Sequence, residues 1–330
     1  MDRENALQNY REAVSGRISE FRSRMGGYLV EHAGELEAMV RTGMELLGKQ
    51  MEEGNKEYVC FLYFSLLKID LIQKKYRFLV QGMDMRWYLD EEPAEVYVDA
   101  TEVFRPFDEL WDALLSENRG YGGAVNIYDI HHLLFEELLF VDSVICRILR
   151  YRLRDWEKKG IFDRVPRSPY WILKWGEYRD RSEILLQTDR VEKEPGAWKE
   201  ELKKAVGKPD RMIFGYWYKG TCEEGEPVNL DMRFITFEKS TLKNLAFQNC
   251  NMEGSRFPES TVIGCSFEGC SLCGADFRGC SFEKTSFAGA ELTEAIFPAE
   301  SLPFLGISAE QLQVIRIEAT SAEADREVCV

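Results

Sequence analysis

The chain has 330 residues, 45% of them hydrophobic, and a formal net charge of −15. The length provides for two domains with ample material for a packed core. The acidity argues against non-specific binding to nucleic acid or to an anionic membrane, because neutralising phosphates needs clustered Lys and Arg.

The first residues, MDRENALQNYRE, contain no apolar run of the kind that directs secretion. Segments 3–23 and 28–52 are rich in Glu, Arg, Leu and Met at helical spacing and are separated by Gly26 and Gly27. A third helix is expected over 57–80, ended by Gly82, with its aromatic start YVCFLYFSLL buried on most sides. That apolar stretch, 58–67, is too short to span a bilayer. A fourth helix falls near 94–116, where Pro106 should kink or split it. The fifth, over 126–158, carries Ile130, Leu134, Leu138, Val141, Ile145 and Leu149 on one face and should be central. Together these predict a mainly α-helical N-terminal domain over 1–160. Repeated Gly and Pro then mark 161–228 as an aromatic-rich mixed connector packing at the domain junction, with a short helix near 197–206. Its runs YWILKWGEY and IFGYWYKG are suited to covering the open first turn of the C-terminal segment.

From residue 232 to 302, every fifth residue is large and apolar, fifteen in succession. A period of five fits neither an α-helix nor a flat strand, so the segment must be a repeat architecture. The residue two before each apolar one is small from Cys250 onward, and glycine recurs two after, at Gly254, Gly264, Gly269, Gly274, Gly279 and Gly289. Alternation then points the small and the apolar residue inward and leaves a tight turn where positive φ suits glycine. The runs CSFEG, CSLCG, ADFRG and CSFEK resemble the pentapeptide-repeat family. The resemblance implies a right-handed quadrilateral β-helix over 229–303, with four pentapeptides per coil. Its first coil should be distorted where Leu230, Ile235 and Leu245 occupy the small position. Stacking every twenty residues would build a ladder of Phe237, Phe257, Phe277 and Phe297, and an opposite one of Phe247, Phe267 and Phe287. Over 304–330, Ser308 and Gln311 fit a capping box, giving a short C-terminal capping helix over 308–318 and an acidic tail. Leu312 and Ile315 should face the last coil. Leu305, Ile307 and Val314 would then be left as a possible self-association patch.

Few residues suggest chemistry. Asp129, His132 and Glu136 share a helical face and are candidate metal ligands or proton carriers, though one helix supplies only part of a site. Cys265, Cys270 and Cys280 point inward from different sides of a coil while Cys273 points out, which opposes tetrahedral zinc binding. The Trp and Tyr residues near Lys174, Arg179 and Arg181 read as core or as a surface for stacking bases. No phosphate-binding loop, dinucleotide fingerprint or hydrolase elbow is present, so no cofactor is expected. The cysteine spacing follows the repeat rather than a disulfide framework, which with the absent leader predicts a cytoplasmic protein. The leading expectation is a non-enzymatic scaffold for a protein partner, monomeric or dimeric through the C-terminal end. One alternative is a DNA-mimicking protein that protects topoisomerase (gyrase). Under four coils, however, span only about 18 Å, and the outward charges are mixed. The other is a helical domain housing an enzyme or small-molecule pocket with the coil as an appendage.

Overall fold

Tyr10, Val14, Phe21, Met25 and Leu29 form one buried stripe along helix α1, Arg3–Glu31, as expected for a helix packed on one side. Gly26 and Gly27 lie inside this helix, and the break falls at His32 instead. Each interior glycine costs about 1 kcal/mol, and burial of Met25 and Leu29 on either side keeps the register. Helix α2 follows at Ala33–Glu53.

The computed structural model describes residues 2–318, and the chain divides into two compact units, Met1–Gln187 and Thr188–Val330. In the first unit the expected helix over 57–80 is replaced by strand β1 (Val59–Leu66), the short helix α3 (Lys68–Ile72) and strand β2 (Arg77–Met83). An apolar run this short has no readable period, and its aromatic and β-branched content favours the pleated conformation. Strand β3 (Ala94–Asp99) precedes α4 (Thr101–Phe104) and α5 (Pro106–Asn118), so Pro106 does split this region, as the first residue of a helix. Helix α6 (Ile127–Arg152) starts in a capping box between Asn126 and Asp129 and ends six residues short of the expected 158.

Strands β4 (Arg167–Glu177) and β5 (Ser182–Asp189) complete a sheet of order β3-β2-β1-β4-β5. Its β1–β2 and β2–β3 pairs are antiparallel and its β1–β4 pair is parallel. Helix α2 packs on β3 and β2, and α6 on β4. Phe64, Phe78, Trp175, Leu138 and Leu149 meet in the core between the layers. The N-terminal part is thus mainly helical over 3–152, with a five-stranded sheet that the periodicity did not reveal.

Asp142 of α6 lies in that core, where Trp175 donates its indole Nε1–H to Oδ1 at 2.9 Å. Burial pushes this carboxyl up to about 7, with Glu177 and Glu183 adding to the shift. A folded-state value above the unfolded one means that stability is present at low pH and is lost as pH rises through about 7. Asp142→Asn should remove this loss. Its melting temperature relative to the native chain is expected to climb between pH 5 and pH 8, and parallel profiles would contradict the assignment.

The second unit begins with helix α7, Ala197–Ala205, followed by a solenoid of three-residue strands. Partners are always twenty residues apart: Trp217 with Phe237, Cys222 with Leu242, Phe247 with Phe267, Val262 with Phe282, and Phe297 with Ile317. Every fifth residue from 214 to 294, seventeen in all, has a left-handed φ of 49–69°. The tight turn expected two residues after each apolar position therefore recurs without a gap. Glycine is not always there: Phe214, Lys219, Asn249 and Lys284 adopt the same φ. The coil also starts a full turn before residue 232, with Met212, Trp217, Cys222 and Pro227 buried in the same phase. Leu230, Ile235 and Leu245 consequently belong to an interior turn that keeps the twenty-residue register, and Ile235 and Leu245 are buried in its core.

The segment expected as a connector is divided, with β4 and most of β5 in the first unit and α7 and the first turn of coil in the second. At the other end, Ser308 and Gln311 do form a capping box, but the helix is a single turn, Ala309–Leu312. Gln311 Nε2 donates to the carbonyls of Phe287 and Ala290, fixing that turn against the coil. Arg316–Glu318 then pairs as a strand with Ile296–Pro298, so strand pairing prevails over helix beyond Leu312. Leu312 is 45% exposed and does not face inward. The acidic tail expected from Thr320 lies outside the described residues.

Gly264 occupies a left-handed turn of the coil that a side chain would crowd. Its φ is +61°, and an added Cβ would lie 2.5 Å from Oδ1 of Asn244 in the preceding coil. Gly264→Ala should cost about 1–2 kcal/mol from the backbone alone, read as a lower denaturation midpoint. An unchanged midpoint would show that the turn can rearrange.

Candidate interaction surface of the coil

The coil interior is filled by rings. Phe237, Phe257, Phe277 and Phe297 stack with centroids 5.3, 4.5 and 4.7 Å apart, and Phe247, Phe267 and Phe287 at 4.9 and 5.0 Å. All seven are fully buried. Trp198 of α7 closes the N-terminal end, with its ring 5.2 Å from Trp217, 5.9 Å from Phe237 and 6.3 Å from Phe247.

The inward positions are thus used for packing, and the outward ones form the surface of the coil. The most regular face is a four-stranded parallel sheet of Thr221–Glu223, Thr241–Lys243, Thr261–Ile263 and Ser281–Glu283. Its strands place Thr221, Thr241, Thr261 and Ser281 in one row of hydroxyls, and Ser281 Oγ donates to Thr261 Oγ1 at 3.0 Å. The companion row is Glu223, Lys243, Ile263 and Glu283, which mixes both signs of charge with an apolar residue. A neighbouring face pairs Ala246–Gln248 with Ser266–Glu268. Another carries two ion pairs, Arg278 with Asp276 at 2.6 Å and Arg190 with Glu238 at 3.0 Å. On that same face Tyr216 donates its hydroxyl to Glu238.

The residues singled out for chemistry are otherwise engaged. Asp129 accepts the Asn126 backbone N–H in the α6 capping box and pairs with Arg3 at 3.2 Å, and Glu136 pairs with Arg11 at 3.0 Å. His132 is exposed beside them, while His131 stacks on Trp111 at 5.4 Å and has its pKa lowered by burial. No group of three His, Cys, Asp or Glu that could hold a metal occurs among the described residues.

Of the proposed self-association residues, Leu305 is buried in the coil core and Ile307 packs partly against it, so neither is free for a partner. Val314 is 41% exposed, and Phe304, Leu312 and Ile317 of the same C-terminal segment are exposed as well. Leu305 turns inward because the 3₁₀ turn at Ala299–Phe304 directs the chain back over the last coil.

The cysteines divide as the register requires. Cys250, Cys265, Cys270 and Cys280 are buried, and Cys273 is partly exposed. Burial pushes the Cys265, Cys280 and Cys273 thiols up alike, so solvent access rather than thiolate fraction separates them. Cys273 is therefore expected to react first with a water-soluble alkylating reagent. Equal labelling of Cys250, Cys270 and Cys273 in the folded chain would overturn the inward placement.

Sequence reading missed the first coil, although the signal was present. The five-residue spacing extends back from Met232 through Pro227, Cys222 and Trp217 to Met212.

The pentapeptide repeat region family model matches residues 228–297. Similar solved structures include a pentapeptide repeat protein from the cyanobacterium Cyanothece 51142, 21% identical over 23% of this chain and 52% of that one, with a TM-score of 0.22. A pentapeptide repeat protein of the Arabidopsis thaliana thylakoid lumen is 16% identical over 38% of this chain and 92% of its own, with a TM-score of 0.21. A trypsin-treated form of QnrB1, a plasmid-mediated fluoroquinolone resistance protein, is 18% identical over 28% and 55% respectively, with a TM-score of 0.18. The chain spans about half the length of the first two structures it matches. It matches no curated protein. The C-terminal part of the chain, over residues 228–297, is a pentapeptide-repeat region.

Proposed function

We propose that the coil is a non-enzymatic scaffold that binds a protein partner through its flat outer faces, in the cytoplasm. The observation that carries this reading is the hydroxyl row Thr221, Thr241, Thr261 and Ser281 on a four-stranded parallel face. Short side chains on a backbone fixed by stacked coils lose little conformational entropy when covered, so contact there is gained at low cost. No helix among the described residues is long and apolar enough to cross a membrane.

The DNA-mimic reading meets two physical obstacles. Five coils at about 4.8 Å each span about 24 Å, the length of about seven base pairs. Outward residues such as Lys243, Ile263, Arg278 and Lys284 also interrupt any acidic stripe. A gyrase supercoiling assay with the full chain is expected to show no protection, and protection would favour that reading instead.

The scaffold is tested by capture from native lysate with the full chain, a Thr241→Arg/Thr261→Arg variant and a Ser266→Arg variant on the neighbouring face. The expected result is a partner retained by the native chain and by Ser266→Arg but lost with the double variant at unchanged melting temperature. Equal recovery by all three would remove this face from recognition.

A further inference from the structure

The sheet of the first unit has a second face, turned away from the helices, and it carries a concentrated group of aromatic rings. Trp87, Tyr88, Phe61, Tyr63 and Tyr170 form a connected set. Trp87 stacks on Tyr88 at 4.7 Å and lies 5.9 Å from Phe61, Tyr63 lies 5.8 Å from Tyr88, and Phe61 meets Tyr170 edge-on at 6.4 Å. The Trp87 ring is held, not loose: its Nε1–H donates to the Tyr63 hydroxyl at 3.0 Å. Its backbone is in the left-handed region at φ 57°, which is rare for a bulky side chain and is maintained only when the surroundings enforce it. Here Asp90 does so, accepting from Lys56 Nζ at 2.7 Å and from the Asp84 and Glu92 backbone N–H groups. Even so, Trp87 remains 43% exposed.

Two cations rest on the same rings. Lys174 Nζ lies 5.3 Å from the Tyr63 ring, and the Arg179 guanidinium 5.5 Å from Tyr88 and 5.3 Å from Tyr178. Neither has a carboxylate within 4.0 Å among the described residues, although the chain is strongly acidic and its other partly buried lysines, such as Lys56 and Lys68, are paired. Desolvation also lowers the Lys174 pKa, with no acidic neighbour to offset it. A half-buried, uncompensated ammonium is a cost that a bound anion would relieve.

We propose that this face binds a nucleoside monophosphate or a ligand of that chemistry, with its planar base stacked on Trp87 and its phosphate held between Lys174 and Arg179. An exposed ring fixed by its own hydrogen bond supplies the stacking surface. Two cations without carboxylate partners match a dianion, and they lie over neighbouring rings, Tyr63 and Tyr88, whose centroids are 5.8 Å apart. The site lies wholly within Met1–Gln187 and stands apart from the scaffold role of the coil.

The test is calorimetric titration of the full chain with adenosine monophosphate, adenosine and ribose 5-phosphate, repeated with Lys174→Met and Trp87→Ala. The expected result is saturable binding of the monophosphate, with each half-ligand and each variant weaker by on the order of tenfold. A melting curve of each variant matching that of the native chain separates lost binding from lost folding. If a variant melts early, Arg179→Met, on an exposed turn, takes its place. No heat with the monophosphate at millimolar concentration, or equal affinity in Lys174→Met, would overturn the proposal. Tighter binding of a short single-stranded oligonucleotide would replace the mononucleotide with a strand and overturn it equally.

Discussion

Replacing Phe267 by Ala is expected to destabilise the coil by about 3–5 kcal/mol, the range for a fully buried phenylalanine. Phe267 stacks on Phe247 at 4.9 Å and on Phe287 at 5.0 Å and lies edge-on to Phe257 and Phe277 at 6.4 Å. The void has no neighbour able to fill it, because the backbone of each coil is fixed by bonds to the turns on either side. Ser266 N–H donates to the Leu245 carbonyl, and Phe267 N–H to that of Ser286. The two units need not unfold together, so one melting temperature is an ambiguous readout. Amide hydrogen exchange is more direct, and faster exchange along 245–249 and 285–289 is the expected outcome. Unchanged protection there would mean that the ladder contributes little.

Trp198→Ala is expected to have an effect of similar size, again about 3–5 kcal/mol, for a different reason. Trp198 seals the open end of the solenoid, and its loss would expose Trp217, Phe237 and Phe247 to water. Terminal repeats of a solenoid need a cap because each turn is otherwise stabilised by neighbours on both sides. Its indole Nε1 is buried without a hydrogen-bond partner among the described residues. Trp198→Phe should therefore retain most of the stability, since the ring and not the N–H does the sealing. Equal losses for Ala and Phe would show that the full width of the indole is needed for the seal.

The coil was legible because its packing rule is local. Each pentapeptide repeats the same inward pair and the same left-handed turn, so register, stacking and cysteine orientation all follow from the spacing. The features that escaped reading lie where the rule blurs. In the first turn, Trp217, Cys222 and Pro227 keep the phase, but their turn positions are Lys219, Glu224 and Asn229, not glycine. The helix expected over 57–80 failed because β1 is buried on both faces and shows neither period. The capping helix was overestimated because strand pairing with Ile296–Pro298 is non-local and invisible to a capping box.

The candidate surfaces were legible only in part. The hydroxyl row follows from the register, once residues twenty apart are known to be neighbours. The sequence marked the aromatic residues near Lys174 and Arg179 as core or a stacking surface, but not that Phe61, Tyr63 and Trp87 join them, because that depends on β1 and β4 being paired across more than one hundred residues. For Asp129, His132 and Glu136, the sequence did not show that Arg3 and Arg11 of α1 would pair with the two carboxylates.

The scaffold role is tested most directly by hydrogen exchange of the full chain with and without its captured partner. Protection is expected at 241–243, 261–263 and 281–283, with residues 1–187 unchanged. Protection confined to residues 1–187, with these three strands exchanging as in the free chain, would contradict it.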